Sequence, residues 1–310
     1  MESPVQPTSY QSPREKAILS RRSFIGMAGT AALALATGAL TGCSSEASGA
    51  SDTAGKKITV AFTNAGYPTA YLDDSGNPAG YEIDVLKRVE ALLADYDFSY
   101  EGVDQIAVFA GLSSGKYDVG LTNSFWTPKR AETYLTPSQN IGVSVLGFLT
   151  RKEFADITTL EQAAKAKLRL APITAGDGNY FVVEDYNSKH PDAQIELTAT
   201  DDANAFTEAF GWVAEKRHDF TLVPLQYYDA LVVDEDGPYH QYKDILAFSI
   251  IGATKTWSFL AKGRESFEAD YSGALKQLKD DGTLAGLAKQ WYGINNFEYL
   301  TDDSQNYNYL

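Results

Sequence analysis

Residues 115–130 read GKYDVGLTNSFWTPKR. The stretch predicts a short strand over 117–121, a polar turn over 122–126, and then the start of a helix. Thr127 is a good N-cap, and Pro128 suits the first helical position, where a missing N–H costs nothing. Arg130 then falls in the first turn. Helix starts gather free N–H groups at the positive end of the dipole, and a guanidinium adds a planar fork that fits a carboxylate. Strand end, helix start and Arg130 together describe a carboxylate-binding site. Taken alone, the same residues also fit a solvated arginine one turn into a helix, so the flanking chain has to decide.

Upstream, Ile58, Val60 and Phe62 alternate, which predicts a strand over 57–62. Residues 64–80 carry loop chemistry, and 81–96 form a helix with Val85, Val89, Leu92 and Tyr96 on one stripe. A strand over 98–103 and a helix over 106–113, closed by Gly115, lead into the quoted stretch. This strand–helix alternation implies a parallel sheet whose strand C-termini gather the site. Downstream, an apolar strand over 143–150 leaves the unit. A second alternating unit follows. It has a capping box at Thr158–Glu161 opening a helix to Lys165, strands over 168–171, 194–197 and 220–223, and helices over 180–188 and 203–216, the latter capped by Asp201 or Asp202. A strand over 245–250 leads out of it. A strand over 257–261 and helices over 267–278 and 284–291 close the pattern. The Tyr-rich tail 295–310 has no assigned element.

Of the 310 residues, 44% are hydrophobic and 12% aromatic, enough for two ordinary domains with a sizeable core. The net charge of −15 argues against nucleic acid, whose phosphates need a basic footprint. A single Cys excludes an internal disulfide, and three scattered His (190, 218, 240) show no metal-ligand spacing, so no metal and no cofactor is expected.

Residues 1–42 read as a leader rather than as fold. Ser20-Arg21-Arg22-Ser23-Phe24-Ile25 is a twin-arginine pattern, followed by a small apolar run and Leu40-Thr41-Gly42-Cys43. The run is too short and Ala/Gly-rich for a convincing membrane span. The last four residues resemble a bacterial lipobox, which makes Cys43 the lipid-modified, palmitate-bearing N-terminus of a protein held at the outer face of the plasma membrane. Loss of the leader takes away four bases and two acids and moves the net charge to −17. Residues 43–55, rich in Ser, Gly and Ala, read as a flexible tether.

Over about 58–293 the chain resembles the extracellular amino-acid-binding proteins of ABC importers, a solute-binding family (family 3) with the type II periplasmic-binding fold. The likeness lies in Tyr67-Pro68 with Gly80-Tyr81-Glu82-Ile83-Asp84, in Leu112–Asp118, in Thr127-Pro128-Lys129-Arg130, and in the closing segment 275–293. The resemblance implies an α/β fold of two lobes, each a mostly parallel sheet flanked by helices, joined by two crossovers. Lobe 1 would hold 56–148 and 253–310, and lobe 2 would hold 149–252. A ligand would sit between the lobes, which close on it by hinge motion. Carried over by position, Arg130 takes the ligand carboxylate, Tyr67 packs on the ligand, and Asn123 and Phe125 contact it. Gln105 stands where the family often has Trp or Phe, and Ala70 replaces a second aromatic. The loop with Thr174, Gly176 and Asp177 lies where lobe 2 donates N–H groups. The family's lobe 2 Asp for the ligand ammonium aligns with Pro224, so Asp177, Asp201 or Asp202 substitutes for it, or the ligand is not a standard α-amino acid.

The implied function is capture of a polar amino acid by a monomeric, non-enzymatic lipoprotein that hands it to an ABC permease. Two alternatives stay open. One is an enzyme on the same fold, such as a dehydratase of aromatic-amino-acid precursors, with Glu184 or Asp177 as the proton carrier. The other is a lipoprotein that senses ligand without transporting it. Further cleft candidates are Trp126, Gln226, Tyr227 and Tyr228, while Asp84 reads as structural at its helix start.

Overall fold

The computed structural model describes residues 56–202, 204–302 and 306–309. The twin-arginine leader, Cys43 and the tether lie outside the described residues. In chain order the elements are β1 (Lys56–Thr63), β2 (Ala65–Gly66), β3 (Ala70–Leu72), β4 (Pro78–Ala79), α1 (Tyr81–Leu92), β5 (Tyr96–Val103), α2 (Gln105–Ser114), β6 (Val119–Phe125), α3 (Pro128–Thr133) and β7 (Gly142–Arg151). They continue as α4 (Leu160–Lys165), β8 (Ile173–Thr174), α5 (Gly178–Lys189), β9 (Ala199–Thr200), α6 (Ala205–Ala214), β10 (Phe220–Pro224) and α7 (Leu225–Tyr228). The last are β11 (Leu246–Leu260), α8 (Glu265–Asp280), α9 (Thr283–Tyr292) and β12 (Tyr307–Tyr309).

One sheet runs in the order β10-β7-β11-β6-β1-β5. β1 lies parallel to both β5 and β6, as the strand–helix alternation predicts. Ile58, Val60 and Phe62 are buried with Ile83, Leu86 and Val89 of α1 and Tyr271 and Leu275 of α8, and these form the first core. β7 and β11 are antiparallel, from Leu246 opposite Arg151 to Thr256 opposite Gly142. β11 is 15 residues long, about 50 Å at strand rise, and so reaches from the first core into the second. The second core gathers Phe148, Leu160, Val182, Val183, Phe220 and Leu222. Every residue of β7 is buried, as a strand covered on both faces requires.

Several predicted elements change when the partners are seen. The strands expected over 245–250 and 257–261 are one strand, β11. The intervening Gly-Ala-Thr-Lys-Thr reads as a break, but β7 pairs with it throughout, with one register shift between Ile250 and Gly252. The polar turn over 122–126 is strand up to Phe125, because β11 pairs with Ser124 and Phe125. The helix expected to run to Tyr96 ends at Leu92, and Tyr96 starts β5. The strand over 168–171 reduces to a single parallel bridge, Leu170 with Phe220. The strand over 194–197 is absent, since the Asn187 side chain takes both backbone groups of Ile195, at 2.8 Å each. Among the described residues the second unit's own parallel pairing is therefore limited to β8 with β9 and that one bridge.

The capping box sits one residue later than predicted. Thr159, not Thr158, accepts from the Gln162 N–H, and the Gln162 side chain accepts from the Thr159 N–H. α6 begins at Ala205, and neither Asp201 nor Asp202 caps it, although Asp202 accepts from the Asn204 N–H at 2.9 Å. The tail gains a place, with β12 pairing Gly252–Thr254 of β11. Among the described residues no helix is long and apolar enough to cross a membrane, and no His, Cys, Asp or Glu cluster could hold a metal.

Candidate functional site

α3 is short and carries one large task. The Thr127 hydroxyl accepts from the Arg130 N–H at 3.1 Å, and Pro128 occupies the first turn. This fixes where the Arg130 side chain leaves the helix. Arg130 is only 8% exposed. Its Nη1 donates to the Phe125 carbonyl at 2.8 Å, and its Nη2 to the Gly176 carbonyl at 3.2 Å, on the far side of a cleft. The guanidinium lies over the Phe109 ring, 5.0 Å from its centre. Among the described residues no carboxylate comes within ion-pair distance of it. Burial presses against its charge, and the field of Asp177 opposes that pressure.

The cleft has a volume of about 920 Å³. Tyr67, Gln105, Asn123, Phe125, Arg130, Thr174, Gly176 and Asp177 all line it. All eight sequence-predicted site residues therefore meet in one cavity, though from different elements. Tyr67 is 41% exposed at its mouth and stacks edge-on with Tyr71 at 5.1 Å. Asp177 caps α5 by accepting from the Asn179 N–H at 2.8 Å. Burial raises its pKa, against the pull of Arg130.

Phe125 plays a second part. Its ring packs into the second core, against the backbone of Gly178, where a Cβ would fall inside contact distance. Asp201 and Asp202, offered as substitutes at the position of Pro224, do not line the cleft. Glu184 is exposed on α5, away from it. Trp126 packs in the hydrophobic cluster with Phe259, and Asp84 accepts from the Trp291 indole N–H at 2.9 Å. Tyr227 lines the cleft, whereas Gln226 is buried behind it.

Sequence reasoning missed Glu82. It is fully buried, and its carboxyl lines the cleft floor. Both of its oxygens accept from the Asn123 N–H, at 3.2 and 3.1 Å. Burial pushes its pKa up to about 8, opposed only by that N–H. Asn123 adopts the left-handed conformation, φ 49°, which Asn tolerates better than most residues. Its Oδ1 accepts from the Ser144 hydroxyl at 3.1 Å, and Ser144 accepts from Gln226 Nε2 at 3.1 Å. A polar chain thus runs from α7 through β7 to β6 and α1. The signal for Glu82 was available. It stands three residues before Val85 and seven before Val89, in phase with the buried stripe of α1.

The model of the bacterial extracellular solute-binding proteins, family 3, matches residues 58–294. The chain belongs to this family. L-cystine-binding protein TcyJ of Bacillus subtilis is 22% identical over 237 residues, covering 76% of this chain and 84% of TcyJ. L-cystine-binding protein TcyA of the same organism is 26% identical over 239 residues, covering 76% and 81%. A solved structure from work on glutathione import via GshT and the cystine ABC importer TcyBC of Streptococcus mutans superposes with a TM-score of 0.64. Its identity is 23%, and the match covers 81% of this chain and 99% of that one. The chain therefore has the type II periplasmic-binding fold.

Proposed function

We propose that the protein captures a polar amino acid between its two lobes and delivers it to an ABC permease, without catalysis. In this reading lobe 1 spans 56–148 and 253–310 and lobe 2 spans 149–252. Arg130 holds the ligand carboxylate, and the Thr174–Gly176–Asp177 loop closes on it from lobe 2. Cys43 carries the lipid that tethers a monomer to the outer face of the membrane after export by the twin-arginine route.

The observation that carries the reading is the state of Arg130. A guanidinium almost wholly removed from water holds only two carbonyls, and three of its five N–H donors have no partner among the described residues. A ligand carboxylate supplies both the missing charge and the missing acceptors. The cavity volume, near the upper end of the roughly 300–1,000 Å³ usual for ligand sites, leaves room for more than a small amino acid. The names of TcyJ and TcyA make L-cystine the first candidate.

The test is a thermal-shift screen of the purified protein against the amino acids, L-cystine, glutathione and small organic acids, beside Arg130→Ala. A ligand that binds the folded state raises the melting temperature by linkage. One amino-acid class should shift the wild type and leave Arg130→Ala unmoved. No shift with any compound, or an equal shift in the variant, would overturn the reading. Turnover of prephenate or arogenate would move the assignment to an enzyme.

A further inference from the structure

Donors and acceptors on the cleft floor do not balance. The Glu82 carboxyl receives one N–H, shared between its oxygens, and once ionised it would have about four lone-pair sites to fill. The Asn179 amide is oriented by its Nδ2, which donates to the Leu222 carbonyl at 3.3 Å, and its buried Oδ1 receives nothing. Both residues line the cavity. Buried acceptors left without donors are costly, and here they cluster where a ligand would lie. Arg130 gives the mirror image on the same strand end. It binds the Phe125 carbonyl, two residues and about 7 Å along the strand from the Asn123 N–H that Glu82 binds. The cleft thus presents an unmatched cation at one point and an unmatched carboxyl at another.

We propose that Glu82 accepts the ligand's ammonium group, so that the cleft reads a zwitterion from both sides, with Arg130 on its carboxylate and Glu82 on its amine. The assignment rests on the ligand-capture reading above and names the part of it that selects for an amino group.

Proton balance follows from the surroundings of Glu82. The titratable groups facing it are Tyr81 beside it on α1, Tyr227 from α7, Tyr271 from α8 and Tyr292 from α9. Burial raises all four hydroxyls, so they stay neutral across the working range. β6 contributes the uncharged Asn123, and the chain before β3 contributes the Thr69 carbonyl, which accepts the Glu82 N–H at 2.9 Å. Arg130, Asp104 and Asp177 are the other acidic and basic side chains lining the cavity. With no cation beside it, Glu82 carries its proton at neutral pH. An incoming ammonium favours the carboxylate, so the Glu82 proton leaves to solvent as the ion pair forms. Binding of one ammonium-bearing ligand releases about one proton at neutral pH.

Calorimetry tests this. L-cystine and its desamino counterpart dithiodipropionate are titrated into wild type and Glu82→Gln, in two buffers of different ionisation enthalpy, from about pH 6 to pH 9. L-glutamine with glutaramate serves as a second pair. For the amino acid, wild type should release about one proton at neutral pH and tighten roughly tenfold per pH unit, levelling above about pH 8. Glu82→Gln should lose both effects and bind the amino acid about 10- to 100-fold more weakly, with the desamino acid unchanged. The wild-type comparison of amino acid with desamino acid stands even if the variant does not fold. Arg130-dependent binding with no proton release, equal in amino and desamino ligands, would overturn the Glu82 assignment and leave ligand capture standing. Failure of both amino acids to bind wild type would remove ligand capture for these solutes and the Glu82 assignment with it.

Discussion

Two buried arginines in this protein differ in one respect. Arg151 and Arg130 are 5% and 8% exposed, and each guanidinium lies 5.0 Å from a phenylalanine ring centre, Phe154 and Phe109. Each donates to two backbone carbonyls. Arg151, at the end of β7, also holds Asp219 at 2.8 Å and Glu153 at 2.7 Å. Asp219 in turn receives the Nε and backbone N–H of Arg169, at 2.9 and 3.0 Å, and its pKa lies far below the ordinary carboxylate value. Where charge serves the fold, this chain completes the set of partners. In the cleft, Arg130 and Glu82 are each left incomplete. A buried cation without its counter-charge is expensive, and so is a buried carboxyl kept neutral with most of its hydrogen-bonding sites unmet, so the incomplete set marks where a ligand is expected to supply the remainder.

The comparison breaks if the two sets respond alike. Asp219→Ala leaves Arg151 buried beside one exposed acid, and should cost about 3–5 kcal/mol of stability with ligand affinity unchanged in the molecules that remain folded. Chemical denaturation reads the first effect and calorimetry the second. Because the folded pKa of Asp219 is depressed, its stabilisation is full above about pH 4 and is lost as pH falls further. Arg130→Ala should do the reverse. It should weaken ligand binding about 100-fold or more, near 3 kcal/mol, while the ligand-free melting temperature holds or rises. A large loss of ligand-free stability in Arg130→Ala would make that residue structural.

Glu82→Gln sharpens the contrast from the other sign. The folded pKa of Glu82 is raised from 4.5 to about 8, so the folded state binds this proton more tightly than the unfolded state does. Its contribution is fully present below about pH 4.5 and is lost as pH rises through about 8. The glutamine variant has no such loss. Above about pH 8 the ligand-free variant should be more stable than wild type, by on the order of 4–5 kcal/mol, and the difference should shrink to under about 1 kcal/mol near pH 5. Melting curves across that range decide it.

Much of this was legible in the sequence where the decisive interactions are local. Thr127, Pro128 and Arg130 predict a capped helix start, and the structure has it. Gly115 closes α2 in the left-handed conformation, φ 73°. Long-range partners were not legible. The turn over 122–126 is strand only because β11 arrives beside it, and β11 itself spans a segment that reads as a break. Ile195 needs no strand partner because one Asn side chain supplies both hydrogen bonds. The site was legible as a set of lining residues through the family likeness, but not in its inner workings. Phe125 read as a ligand contact; it lines the cleft, and its ring also packs into the second core. Glu82 lay inside a quoted motif, yet only its burial and the approach of Asn123 single it out.

Two smaller effects test how the cleft closes. Gly178→Ala places a methyl group against the Phe125 ring, in a helix start with ordinary backbone angles. Overpacking there should cost about 1–2 kcal/mol, and a contact made only on closure would show that cost as a roughly tenfold loss of ligand affinity while the melting temperature without ligand moves little. Equal losses in both would place the contact in the fold rather than in closure.

Thr127→Ala should give the smallest change and the most specific one. Its hydroxyl caps the Arg130 N–H, and such a cap is worth about 1 kcal/mol. α3 makes few other contacts that would hold its first turn, so part of that loss should appear as freedom of the Arg130 backbone. Affinity for a carboxylate ligand should then fall severalfold, because the guanidinium must be re-ordered on binding. Thr127→Ser keeps the oxygen and should restore both stability and affinity. Rescue of stability alone would show that the cap supports the helix without positioning the arginine.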